Sequence, residues 1–480
     1  MKITQRFQLG VSQHEIDFVD IDTDVDTRLF IDPFFLSVRT DAWSMAASRS
    51  VRNFFQTFVE VARSGDLAQA RRLFDHLHEP NETCLGMSRA KPQGRAIGEE
   101  NADRLFESIL ESEALNTGVV EDLEDFRIFI PGVDKDKVSD MTTNIIRRHL
   151  MEYTKDQCQL WDIPLTPGVA SEFYWESATR SWESAYSEAL VIDSKKILLT
   201  PKSIVSFVKR YAPKKYYSQF VLDFLRHEHL TMRSALVQFR ANGAPYVTKI
   251  SLQESVAPFS KEFLAQFTQT HPEVFGNFKD WAAATSKSVD NDEITETDGA
   301  EVAAFLCASL RAIQPGGEDA RRYHRLCVSI LELLLYPNLV SPKVEREIFQ
   351  GRKRIDISFD NAARTGFFHR VHAANSLPAQ FVFVECKNYS RQVANPELDQ
   401  LIGRFSVNHG KVGLMLFRGV DDFPLLLRRC NDAYVAQQGL VIPLCDADLL
   451  TLLEEFGAGN FGNVEVLLSN RYRDIAMGAP

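Results

Sequence analysis

An apolar run that ends in two ions governs what this chain can become. In Phe381-Val382-Phe383-Val384-Glu385-Cys386-Lys387, four large apolar residues lead directly into a carboxylate and an ammonium. Side chains two apart on a strand share a face. Glu385 and Lys387 therefore project together, while Val382, Val384 and Cys386 face the other way. Ions at the end of so apolar a strand are costly to bury unless something uses them. Upstream, Arg354-Ile355-Asp356-Ile357-Ser358-Phe359 alternates too, with Asp356 opposite Ile355, Ile357 and Phe359. An Asp on one strand and Glu-x-Lys on the next is the pattern of a metal-dependent phosphodiesterase site.

The chemistry explains the residue types. Hydrolysing a phosphodiester requires neutralising phosphate charge and delivering a water in line, and a divalent metal does both. Mg²⁺ prefers oxygen ligands and keeps several waters, so Asp356, Glu385 and the backbone carbonyl of Cys386 form a sufficient set for Mg²⁺ or Mn²⁺. Lys387 would orient or help deprotonate the water, or hold the phosphate as a point charge.

The surroundings of the motif scan as mixed α/β. Helices are expected over Glu301–Gln314 and from about Asp319 to Tyr336, the latter stopped by Pro337. Lys343–Phe349 and Lys353–Phe359 read as a hairpin turning at Gln350-Gly351-Arg352. A polar excursion, Asp360–Gln380, precedes the Phe381 strand. Asn395-Pro396-Glu397 opens a helix, with Asn as N-cap and Pro at its first position, and Gly410 closes it. Lys411–Phe417 is an apolar strand, then come a helix, a strand at Leu440–Leu444 and a last helix from Asp446.

With these elements in place, the hairpin, Asp356, the Glu385-Cys386-Lys387 triplet and the following helix and strand resemble the PD-(D/E)XK nuclease superfamily. The wording Arg354-Ile355-Asp356 and Val384-Glu385-Cys386-Lys387 looks most like the Mrr-type (type IV-like) restriction endonucleases. The resemblance spans roughly Glu318 to Glu455. Ile355 stands where many members carry Pro. It implies a restriction-endonuclease-like domain, a mixed central sheet flanked by helices, that cuts DNA with Mg²⁺. It also implies an acid on the helix before the hairpin, which Glu332 supplies, and a Gln on the later helix, Gln400, with Arg404 one turn on. Asn388, Tyr389, Arg391 and Lys411 would suit DNA-backbone contacts.

At 480 residues the chain should hold two or three domains. The polar, acidic run Ala282–Ala300 reads as a linker. It divides an N-terminal region, 1–281, mainly α or α+β and unassigned by the resemblance, from the nuclease domain, 301–480. Helices are expected at Ser48–Ser64, Glu99–Glu113, Ser139–Thr154 and Pro213–Phe224. Short strands are expected at Arg28–Leu36, broken by Pro33, and at Ile192–Leu199, with a helix after Pro201. Gly86–Gly98 is a Gly-rich basic loop running into a helix, a phosphate contact or an ordinary turn; it lacks the Gly-Lys-Ser/Thr end of a P-loop. Arg210–Tyr217 mixes bases with aromatics, as nucleic-acid surfaces do and as a capped amphipathic helix does. His227 and His229 would diverge on a helix, which argues against a metal pair.

A hydrophobic content of 45% with 25% charged residues is that of a soluble globular protein. No window approaches the roughly 18 apolar residues of a membrane span, and the first residues lack a signal-peptide pattern. The seven scattered cysteines suggest a reduced, cytoplasmic chain with no zinc site. The net charge of −11 argues against general nucleic-acid coating, yet Ser341–Arg418 holds twelve Lys and Arg against seven Asp and Glu. The acid-rich run Glu15–Asp26 reads as a solvated edge. The expectation is a cytoplasmic DNA endonuclease of restriction or anti-phage defence, whose N-terminal region senses target or phage-derived trigger. A homodimer would suit two-strand cutting. The rival expectations are an inactive scaffold of the same fold binding DNA or protein, and a nuclease for RNA or branched DNA.

Overall fold

A computed structural model describes the chain except residues 87–98, 208–209, 345–356, 375–376, 390–392, 394, 420 and 479–480, with backbone alone for 99–102 and 374. The architecture is mixed α/β, about 52% helical, with a five-stranded mixed sheet in the C-terminal part. The long N-terminal helices are α1 (Ala42–Ser64) and α2 (Lys135–Leu160), followed by α3 (Pro272–Thr285). Then come α4 (Gly299–Ala312), α5 (Ala320–Leu335), β1 (Leu339–Lys343), β2 (Ile357–Asn361) and β3 (Phe381–Lys387). The chain closes with α6 (Asn395–Ile402), β4 (Val412–Phe417), α7 (Phe423–Val435), β5 (Leu440–Cys445), α8 (Asp446–Gly457) and α9 (Asn463–Met477).

The sheet order is β1-β2-β3-β4-β5, antiparallel up to β3 and parallel from β3 onward. Ile357 pairs with Val384, Glu385 with Met415 and Lys387 with Phe417. Two glycines let the parallel strands start close together. A Cβ at Gly410 would lie 2.6 Å from the carbonyl oxygen of Phe381, and one at Gly439 2.7 Å from that of Lys411. Both have positive φ, which glycine adopts without strain.

Most of the expected C-terminal helices and strands are present, but the first strand lies at Leu339–Lys343, upstream of the expected Lys343–Phe349, whose residues 345–349 lie outside the described residues. Helix α6 ends at Ile402, well before Gly410, and α9 escaped the sequence reading because α8 looked like a natural end. The expected hairpin turn lies outside the described residues. The expected short buried strand is present as Phe30–Ile31 and stops before Pro33, but the residues after it are helical. Pro33 opens a helix, Pro33–Ser37, capped by Asp32, because proline's fixed φ suits a first helical turn. After Pro201 only a 3₁₀ turn forms, Lys202–Ile204.

A continuous core runs from Ile3 to Ile475, and α2 is its spine. Gln157 Nε2 donates to Pro342 O at 3.0 Å, and Asp156 pairs with Lys343 at 3.1 Å, tying α2 to β1. The Ala282–Ala300 run is seated in the fold. Val289 is buried and its carbonyl accepts from Tyr336 Oη at 2.8 Å, while Arg39 Nη1 reaches Ser288 Oγ at 3.2 Å.

The acid-rich run near the N-terminus is a solvated edge only over Asp22, Asp24 and Asp26; its first half departs from that expectation. Glu15, Asp17 and Asp20 are buried. Glu15 caps Ser12, Asp20 accepts from the backbone and hydroxyl of Thr4, and Asp17 accepts from Tyr153 Oη at 2.6 Å. Alternation hid this, because Ile16, Phe18 and Ile21 enter the same core.

Candidate active site

The site is built by β3. Its apolar residues are covered on both faces, by α5 and by α6. Phe383 faces α6 and stacks on Phe405, centroids 6.0 Å apart. Period-two alternation then sends Glu385 and Lys387 the same way. Glu385 is fully buried, and its two carboxylate oxygens meet Lys387 Nζ and Arg404 Nη1. Arg404 is itself buried just past the end of α6, and Gln400 Oε1 lies 3.5 Å from Lys387 Nζ. Four residues that the sequence separates thus converge: Glu385, Lys387, Gln400 and Arg404. A carboxylate in a low-dielectric site is tolerable only with such compensation.

The structure parts Glu332 from this group. Glu332 is buried on α5, but its ion-pair partner is Lys202, at 3.5 Å, inside the N-terminal region. Asp17 and Tyr153 complete that cluster, and Lys202 Nζ lies 4.1 Å from the Tyr336 ring centroid. Burial raises Glu332 to about 8, against the pull of Lys202. The same burial lowers Lys202 and raises Asp17.

Asp356 and Arg391 lie outside the described residues. The covalent neighbour of Asp356, Ile357, is paired with Val384, the covalent neighbour of Glu385. Among the described residues no three His, Cys, Asp or Glu side chains gather as a metal cage, so a metal set here depends on Asp356 joining Glu385. Asn388 is not free for DNA: it is buried, and its amide donates to Gln314 O at 2.9 Å and Gly316 O at 2.8 Å. Lys411 Nζ donates to Gln437 O at 3.0 Å. His227 and His229 diverge, one bonding Asp223 O and the other Ser234 Oγ, both at 2.8 Å.

A second polar cluster sits where β4 and β5 end beside β3, and sequence reading missed it. Arg418 Nε pairs with Asp446 Oδ2 at 2.9 Å, and the buried Tyr323 Oη donates to Asp446 Oδ1 at 3.0 Å. Burial raises Asp446 to about 6, opposed by Arg418 and the Tyr323 hydroxyl. The available signal was the one that exposed Glu385: an ion immediately after an apolar strand. The C-terminal edge of parallel strands is where open α/β sheets place their ligands.

Over residues 8–212 the chain matches a family model described as a domain of unknown function, DUF8370. That stretch contains Asp17, Tyr153 and Lys202 and ends before the sheet. No curated protein and no solved structure matches the chain. No described helix is long and apolar enough to cross a membrane.

Proposed function

We propose that the C-terminal part is a metal-dependent nuclease unit of PD-(D/E)XK type that hydrolyses DNA phosphodiester bonds, with Asp356, Glu385 and Lys387 at its centre. The observation that carries this reading is the meeting of Glu385, Lys387 and Gln400 at the end of β3. The order of elements supports it: a helix, three antiparallel strands, a helix, then a parallel strand is the arrangement the resemblance implies.

Asp356, Glu385 and the Cys386 carbonyl would hold Mg²⁺ or Mn²⁺, which supplies phosphate charge neutralisation and a more acidic water when bound. Lys387 neutralises phosphate charge or positions the attacking water, and Gln400 orients its ammonium. Arg404 pairs with the buried Glu385 and fixes its orientation. The N-terminal region would sense the target or a phage-derived trigger, a role drawn from the resemblance alone.

One observation favours a second reading, a scaffold of the same architecture that binds DNA or protein without cutting. Both oxygens of Glu385 already meet cations, as in a site that has lost its metal. The deciding test is cleavage of plasmid DNA, RNA and a branched DNA with Mg²⁺, Mn²⁺ or EDTA, comparing wild type with Lys387→Ala. Metal-dependent cutting by the wild type alone is expected, and the substrate cut assigns the class. Equal cutting by both proteins would sink the proposed site. No cutting by either, with no thermal shift on adding metal, would establish the scaffold.

A further inference from the structure

The basic segment at Arg210 took a different form from the one its aromatics suggest. Tyr211 and Tyr216 are buried in an aromatic core with Phe275 and Phe278, and the buried Tyr217 packs against Phe259, so they offer no stacking surface. The cations stay outside. Arg210 and Lys215 meet Lys287 and the half-buried Trp281, at the end of α3, around a recess of about 540 Å³ whose lining contains no carboxylate.

Three features set this recess apart from an ordinary solvated patch. No described carboxylate pairs with Arg210, Lys215 or Lys287, although the chain as a whole carries a net charge of −11. Cations also gather at helix C-termini to satisfy carbonyls, but among the described residues only Arg364 does so here, donating to Ala283 O at 2.9 Å. The indole of Trp281 stacks on Phe278 at 6.2 Å and tilts against Phe220, which fixes its orientation at the recess. A neighbouring cavity of about 450 Å³ shares Arg210 and Lys287 but is walled by Asp290, Asp292 and Glu293. An anion is therefore directed to the carboxylate-free side.

We propose that this recess binds a nucleoside phosphate, with the phosphate held by Arg210, Lys215 and Lys287 and the base lying against Trp281. Arginine and lysine together supply directed and point-charge contacts to phosphate oxygens. A flat indole favours a base through stacking in a sequence-tolerant way, and the volume falls within the range of small-ligand sites. The inference uses no residue of the Glu385 site and stands or fails apart from it.

The ligand chemistry could reach the recess as a free nucleotide or as part of a strand. Fluorescence anisotropy of the full chain with a fluorescent ATP analogue and with a labelled short single-stranded DNA separates them. Binding of either probe is expected, weakened at least about tenfold in the Lys215→Glu/Lys287→Glu variant. Lys287 is exposed and Lys215 half-buried, and circular dichroism checks that the variant is folded. Trp281→Leu should weaken the same probe while inorganic phosphate still competes. Binding of only the ATP analogue assigns a free nucleotide; binding of only the DNA assigns a strand. No binding of either probe, or affinities unchanged by the charge reversal, would overturn the proposal.

Discussion

Two buried charge clusters, built from the same residue types, behave differently. At the end of β3, one carboxylate, Glu385, meets two cations, Lys387 and Arg404, and the neighbouring Gln400 is exposed. At the joint between α5 and the N-terminal region, two carboxylates, Glu332 and Asp17, share one cation, Lys202, and every member is sealed. The exposed Gln400 sets the first cluster beside solvent, where a substrate can approach. The second is closed: burial raises the pKa values of Glu332 and Asp17, and the cluster joins two parts of the chain. A buried ion is a site candidate only where something can reach it.

The largest effect should come from the joint. Lys202→Met leaves Glu332 and Asp17 without their cation and should cost about 3–5 kcal/mol of unfolding free energy, read by chemical denaturation. Lys387→Met leaves Glu385 with Arg404 and should cost much less while abolishing cleavage. Equal losses in the two variants would break the distinction.

Next in size is Arg404→Ala. It removes the fully buried partner of Glu385 and should destabilise by about 3 kcal/mol. If Arg404 is a positioning residue, Arg404→Lys should restore folding while shifting the metal concentration needed for cutting.

A pH dependence sharpens the picture of the joint's edge. Asp360, at the end of β2, accepts from Trp43 N at 2.9 Å. Burial, with Asp41 adding to it, raises its pKa from 3.8 to about 7, against the Trp43 amide and Lys343. Between these values the folded state holds more protons than the unfolded one, so this group's stability contribution falls as pH rises through the window. Asp360→Asn should match wild type in thermal unfolding near pH 4 and exceed it above pH 7. A constant offset at every pH would contradict this assignment.

The smallest effect is Gln400→Ala. Losing one hydrogen bond to Lys387 should slow cleavage by about tenfold or less, with thermal stability unchanged.

Much of the C-terminal fold was legible because it rests on local rules. Alternation along Phe381–Lys387 placed Glu385 and Lys387 on one face, and the apolar run Lys411–Phe417 marked the next strand. Elsewhere local rules ran into competing ones. Pro33 carries both a strand-breaking and a helix-opening signal, and only the capping by Asp32 decides between them. The aromatics of Arg210–Tyr217 read equally as surface or core until α3 packs against them.

By itself the sequence determined which side chains share a face within an element, since backbone geometry and a period of two or 3.6 settle that over a few residues. Only the tertiary structure decided which charges meet. Glu332 lies 130 residues from Lys202 and 315 from Asp17 in the chain, and no spacing rule reaches that far. Whether an acid faces water, a metal or a lysine depends on how helices and sheet pack. That packing drew Glu332 and Asp17 into a sealed joint and set Glu385 and Lys387 beside the exposed Gln400.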